Sequence, residues 1–242
     1  MGLMARLKEE TALLHRHAET HVFQRGLIRG ELPISAYGGF LGQMLHVHRA
    51  LEGALEAMAD RSPIREVVDA SQFRCDAIRA DLAFLGGMPG GGLSGGLGGG
   101  LGIEAGEMLD GTRRLVDEIR GLRIAGDGRR LLGMHYVLEG STNGGRFVSA
   151  ALARAYALDG RDGLGYLDPY RKEQPQRWAA FAQAVEALRL DDASQDAVVD
   201  GAKSMFEGVT GVLESLGEVW VKDTPGVTVL PITSRERGVV EG

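Results

Sequence analysis

Along most of the chain apolar residues return every three or four positions, and this helical rhythm is interrupted by stretches with no periodicity at all. In the first periodic stretch Leu7, Thr11, Leu14, His15, Ala18 and Val22 fall on one helical face. The pattern predicts a helix running to Gly30, with Pro33 just beyond it as a stop. Ser35 is predicted to cap a second helix whose stripe is Phe40, Leu41, Met44, Leu45, Leu51, Leu55 and Met58. Ser62-Pro63 opens a third, extending to about Leu85, because proline's fixed φ suits a first helical turn. Helical periodicity returns over about 104–122, from about Gly128 through "LLGMHYVLEGSTNGGRFVSAALARAYAL", and over about 176–190 and 194–216.

The interruptions are distinct in kind. "GGMPGGGLSGGLGGGLG", residues 86–102, is low in complexity and loses too much backbone entropy on ordering to form a regular element. It reads as a flexible loop between helices. A phosphate cradle would need a preceding strand and a closing Gly-Lys-Ser/Thr, and neither is present. "DGRDGLGYLDPY" is a turn-rich connection, and "GVTVLPITSRERGVVEG" has β-type residues with no partner strand in sight. No internal repeat is visible. These patterns predict an all-α architecture, a single domain of about seven helices over 1–222, with 223–242 as an extended or disordered tail.

Composition narrows the function. The 242 residues are enough for a substantial core, and 44% hydrophobic with 25% charged is ordinary for a globular protein. A formal net charge of -6 argues against a nucleic-acid partner. The single cysteine, Cys75, excludes a disulfide framework, a cysteine metal site and an iron–sulfur cluster, and it reads as a small buried hydrophobe. No apolar run approaches the ~20 residues of a membrane span. The N-terminal apolar stretch is too short for a secretory signal, and Arg6 breaks the myristoylation pattern. The expectation is a cytoplasmic protein with no membrane contact.

Two segments carry candidate chemistry. In "LKEETALLHRHAET", Glu19 follows His15 by one helical turn and shares its face. A carboxylate there accepts the imidazole Nδ1–H, fixes the tautomer and leaves Nε2 for a metal. On periodicity alone a buried structural histidine is the favoured reading of this position. His17 and His21 lie off this face and read as solvated. The second segment is "EGSTNGGRF", where Gly140, Gly144 and Gly145 interrupt a strongly helical pattern. Each costs about 1 kcal/mol relative to alanine, so something offsets them. Close helix packing is one explanation; close approach of a flat ligand, with a kink at the glycines, is the other.

"LKEETALLHRHAE" and "YVLEGSTNGGRF", with about 125 residues between His15 and Gly140, together resemble the heme oxygenase family, most closely its bacterial, biliverdin-producing branch. The resemblance reaches from about residue 3 to residue 216. It implies a helical fold that sandwiches heme between a proximal and a distal helix. His15 matches the proximal iron ligand, Glu19 the glutamate one turn on, and Gly140, Gly144 and Gly145 the distal glycines. Lys8 matches a lysine that pairs with a heme propionate, and Phe206 an aromatic residue of the C-terminal helix packed near the heme. The implied reaction is oxidative cleavage of heme to biliverdin, iron and carbon monoxide. It uses O2 and electrons from a separate donor, a ferredoxin- or flavodoxin-type reductase system, and heme is both substrate and cofactor.

The chain departs from that pattern in two places. Animal members carry an aspartate after the first distal glycine; here it is Ser141, which together with Asn143 is left to order water for proton delivery. Basic residues that clamp propionates from a later helix are replaced by Trp178 and Ala182, with Arg177 adjacent as a substitute. A non-catalytic heme carrier or sensor on the same fold is the alternative that Ser141 keeps open. A di-iron helical oxidase would need Glu-x-x-His pairs, and the chain contains none.

Overall fold

The computed structural model describes residues 2–88, 106–158 and 162–221. The expectations for most of the 86–102 loop and for the 223–242 tail fall outside them. Among the described residues there is no strand, and ten α-helices follow one another: α1 (Leu3–Glu10), α2 (Ala12–Glu19), α3 (Val22–Arg29), α4 (Ile34–Glu56), α5 (Ile64–Val67), α6 (Cys75–Gly86), α7 (Asp110–Ala125), α8 (Gly128–Ala155), α9 (Gln174–Ala187) and α10 (Asp192–Trp220). Two 3-10 turns, Ala70–Gln72 and Arg171–Glu173, complete the described elements. The all-α class is as the patterning predicts, but the helices number ten rather than seven.

The extra breaks come from side chains competing with the helical ladder. The predicted first helix divides at Thr11, whose Oγ1 donates to Leu7 O at 2.6 Å and tightens the turn between α1 and α2. It divides again at His21, whose Nδ1 accepts from Phe23 N at 3.3 Å and caps α3. The predicted helix from Ser62 to Leu85 is three pieces, because the Asp69 side chain accepts from Ser71 N at 2.7 Å and starts a 3-10 turn. Pro33, not Ser35, occupies the N-cap of α4. The ends of α3 and α7 follow the expected rule: Gly30 and Gly126 sit at φ 69° and 71°, a left-handed conformation that costs a side chain 1–2 kcal/mol or so.

The longest helices, α8 and α10, form the most extensive pairing in the fold. They approach so closely that a Cβ on Gly133 would overlap the carbonyl of Val198, and one on Gly201 that of Arg130. Small residues at a crossing let two backbones touch, and here they fix the angle between the two helices that frame the site. Around this pair one continuous core gathers Leu7, Phe23, Leu41, Leu115, Ile119, Leu131, Val198, Met205 and Leu213. The α2 helix contributes no fully buried residue to it; Leu14 and Ala18 pack on it while still partly exposed. No helix among the described residues is long and apolar enough to cross a membrane.

Candidate active site

One face of α2, with Ala12, His15, Arg16 and Glu19, lines a cavity of about 1150 Å³. That is at or just above the upper end of the roughly 300–1,000 Å³ typical of small-molecule sites. Residues of α1, α2 and α3 form one side, α8 the facing side, and side chains of α4, α9 and α10 the walls. The lining is mostly apolar, with a few polar groups converging on it.

His15 stands on the α2 side. Its Nδ1 lies 3.4 Å from Glu19 Oε2, and the two side chains are 53% and 58% exposed. The edge of Phe206 meets the imidazole with ring centroids 5.6 Å apart at 78°. Nε2 has no hydrogen-bond partner among the described residues. A buried structural histidine is therefore not what this position holds: His15 lines the cavity with Thr11 and Ala18, while Leu14 of the same stripe packs against the core. His17 is exposed as expected, but His21 is not solvated; burial, reinforced by the charges of His17 and Arg25, lowers its pKa to about 4. Lys8 and Arg16 also line the cavity, and neither has an acidic group in ion-pair range among the described residues.

Across the cavity α8 runs without a break through its three glycines, which have three different surroundings. A Cβ on Gly144 would meet nothing within 4 Å, so this position opens the helix face to the cavity. A Cβ on Gly140 would rest 3.4 Å from Trp178 Cη2, an ordinary contact. One on Gly145 would overlap the carbonyl oxygen of Leu167, so that glycine serves packing. Ser141 Oγ donates to Leu138 O at 2.7 Å and Asn143 Nδ2 to Gly140 O at 3.0 Å, which commits the hydroxyl proton and one of the two amide N–H groups to the helix itself. Their oxygens still accept; Gln174 Nε2 already donates to Asn143 Oδ1 at 3.1 Å.

Arg177 does not line the cavity. Its guanidinium donates to Ser71 Oγ at 3.2 Å, lies 3.6 Å from Glu173 and covers the Tyr170 ring at 5.5 Å. One helix position separates it from Trp178, about 100° of rotation, which turns it out of the site that Trp178 enters.

The sequence reading missed the charged wall behind α8. Arg74, 4% exposed, pairs with Glu139 at 3.2 Å and stacks over Tyr170 at 4.5 Å. Its backbone N–H donates to Glu52 Oε1 at 2.6 Å, and Glu52 lies 3.1 Å from His48 Nδ1. His48 Nε2 in turn is 3.4 Å from the Tyr166 hydroxyl. Burial pushes the Glu52 carboxyl up, but His48 and the backbone of Arg74 more than offset it, leaving it below the ordinary range. Burial raises Glu139, and Arg74 opposes that only in part. Two sequence signals of this wall were available, Glu139 beside Gly140 inside an apolar helix and His48 one turn before Glu52 on α4; Arg74 lies in a connection with no pattern around it.

With this geometry in view, the family model described as heme oxygenase matches residues 1–90 and 103–215. The chain belongs to the heme oxygenase family. Among solved structures it is similar to the heme oxygenase of Leptospira interrogans, with a TM-score of 0.74 and 21% identity over 88% of this chain and 98% of that one. It is also similar to heme oxygenase-2 from the cyanobacterium Synechocystis, solved with heme and NO, with a TM-score of 0.78 and 18% identity over 90% of this chain and 86% of that one. These likenesses establish the shared fold. No curated protein sequence matches the chain.

Proposed function

We propose that this chain binds heme in the cavity between α2 and α8 and cleaves it to biliverdin, iron and carbon monoxide. The observation that carries the reading is that one cavity is lined both by His15, with a free Nε2 and Glu19 behind its Nδ1, and by the bare backbone at Gly144. A flat ligand with a metal at its centre needs a neutral nitrogen donor on one face and room for a small gas molecule on the other. The Synechocystis relative binds heme and NO, as its structure records.

The residues fit the group. His15 would hold the iron through Nε2, and Glu19 would accept the Nδ1 proton, fixing the tautomer and raising the donor's basicity. The edge of Phe206 limits rotation of the imidazole. Lys8 and Arg16 are placed to meet the carboxylates of heme. Bound heme supplies the iron that activates O2 and the ring that is opened. On the α8 side Ser141 and Asn143 hold water as acceptors, and the absence of a side chain at Gly144 leaves O2 a seat. The apolar lining excludes bulk water, which would otherwise supply protons without control. Electrons would come from a separate donor protein of the ferredoxin or flavodoxin type.

A non-catalytic carrier draws on one observation: the Ser141 hydroxyl proton and one Asn143 N–H are already committed to Leu138 O and Gly140 O. Titration of the purified chain with heme, followed by reduction in air with a ferredoxin reductase system, separates the two. The carrier would give the same Soret titration and no ring opening.

A further inference from the structure

The wall that α9 presents to the cavity is aromatic, although cations line it elsewhere. Trp178 is the α9 side chain that enters. It is flanked by two rings, Tyr136 at 5.8 Å between ring centroids and Phe181 stacked at 5.6 Å and 19°, and it stands about one methyl group's width from the Gly140 backbone. These ring contacts seat the half-buried indole between α8 and α9, with its surface turned to the cavity. Arg177 is turned away and engaged by Ser71, Glu173 and Tyr170, so α9 offers the cavity no positive charge.

The cations that do line it are Lys8, Arg16 and Arg74. Arg74 is neutralised by Glu139, with both side chains at most 5% exposed. Lys8 and Arg16 are left, both on the α1–α2 side. A tetrapyrrole carries its two carboxylates on one edge and methyl and vinyl groups on the others, so its rotation about the metal axis follows the charges and apolar surfaces around its rim. Burying a carboxylate against an indole without a partner is costly, whereas an apolar rim there gains contact area and ring stacking.

We infer that Trp178 sets the in-plane orientation of the substrate, seating an apolar rim against α9 and directing the carboxylates to Lys8 and Arg16. The inference rests on the heme-binding reading of this cavity. Its consequence is chemical: in-plane rotation decides which bridging carbon lies under the open face of α8, so Trp178 is a specificity-determining residue for the position of ring opening.

The test uses the full chain loaded with ferric heme and cyanide, read by the hyperfine-shifted heme methyl resonances in proton NMR, which report in-plane seating without turnover. Trp178→Phe keeps an aromatic wall and is expected to keep the wild-type methyl pattern. Trp178→Arg adds a cation and is expected to bring in a second set of methyl resonances, changing the ratio of seatings by up to about fivefold, the scale of a partly exposed ion pair. The biliverdin isomer ratio should move in the same direction. A Trp178→Arg protein that binds heme with the wild-type pattern overturns the assignment. If that variant does not fold, Lys8→Ala/Arg16→Ala carries the same test: mixed seating is expected, and an unchanged pattern overturns the inference. Wild-type protein that shows no Soret titration would instead sink the heme reading beneath it.

Discussion

Nδ1 of His15 faces Oε2 of Glu19 across 3.4 Å, one turn apart on a helix with no fully buried side chain. The pair is presented to the cavity, and its one packing contact is that of the His15 ring with Phe206. Removing it should therefore leave stability almost untouched while changing what the cavity holds. His15→Ala is expected to unfold in urea within about 0.5 kcal/mol of wild type, as surface substitutions do, but to lose the wild-type Soret band. Glu19→Gln keeps an acceptor without charge and is expected to weaken heme affinity by about tenfold, the mild end of what such supporting partners contribute. A His15→Ala protein with the wild-type heme spectrum would remove the ligand assignment.

The glycines of α8 are separated by a stability measurement. Gly144→Ala points into open space and should be neutral or stabilising by up to about 1 kcal/mol. Gly145→Ala places its methyl on the Leu167 carbonyl and should destabilise by about 1–3 kcal/mol, as overpacking does. Gly144→Leu should fold like wild type and fail to take up heme. Urea unfolding and heme titration of the three variants check this; equal stabilities at 144 and 145 would contradict the packing described.

The buried Arg74–Glu139 pair should behave as a unit. Arg74→Met leaves the Glu139 carboxylate buried without its partner and is expected to cost about 3–5 kcal/mol. Arg74→Met/Glu139→Leu should recover most of that loss. A double variant no more stable than the single one would show that the loss comes from packing rather than from an unpaired charge.

Acid should weaken the N-terminal region before the protein as a whole. The folded pKa of His21, about 4, lies below the ordinary value of 6.5, chiefly because the ring is partly buried, with His17 and Arg25 adding repulsion. The unfolded chain therefore binds the proton more readily, so stability is full above about pH 6.5 and falls as pH drops toward 4. His21→Asn keeps an N-cap acceptor without titrating in this window and should flatten the pH dependence of the melting temperature there. Fully buried His135, lowered to about 3 mainly by desolvation, contributes in the same direction and leaves a residual slope.

How far these features were legible in the sequence follows from the range of the forces involved. Helical faces repeat within a few residues, so α4, α7, α8 and α10 can be read from periodicity, and His15 with Glu19 can be read because both sit on one turn. The breaks at Thr11 and His21 cannot, since a side-chain hydrogen bond to a neighbouring backbone group leaves the apolar rhythm intact. Arg74 and Glu139 meet across 65 positions and Arg177 meets Ser71 across 106, distances over which no local pattern exists. The three glycines looked equivalent because only the opposing element, open space or Leu167 or Trp178, tells them apart.

The central claim is ring opening in this cavity. The most direct measurement is the product spectrum of the unmutated chain loaded with heme and supplied with O2, catalase and a ferredoxin reductase system. Biliverdin absorption appearing as the Soret band decays, with carbon monoxide released and no dependence on free peroxide, is the result the account predicts. A heme complex that takes up electrons and returns to the ferric state with no biliverdin would contradict it and leave the chain a heme carrier.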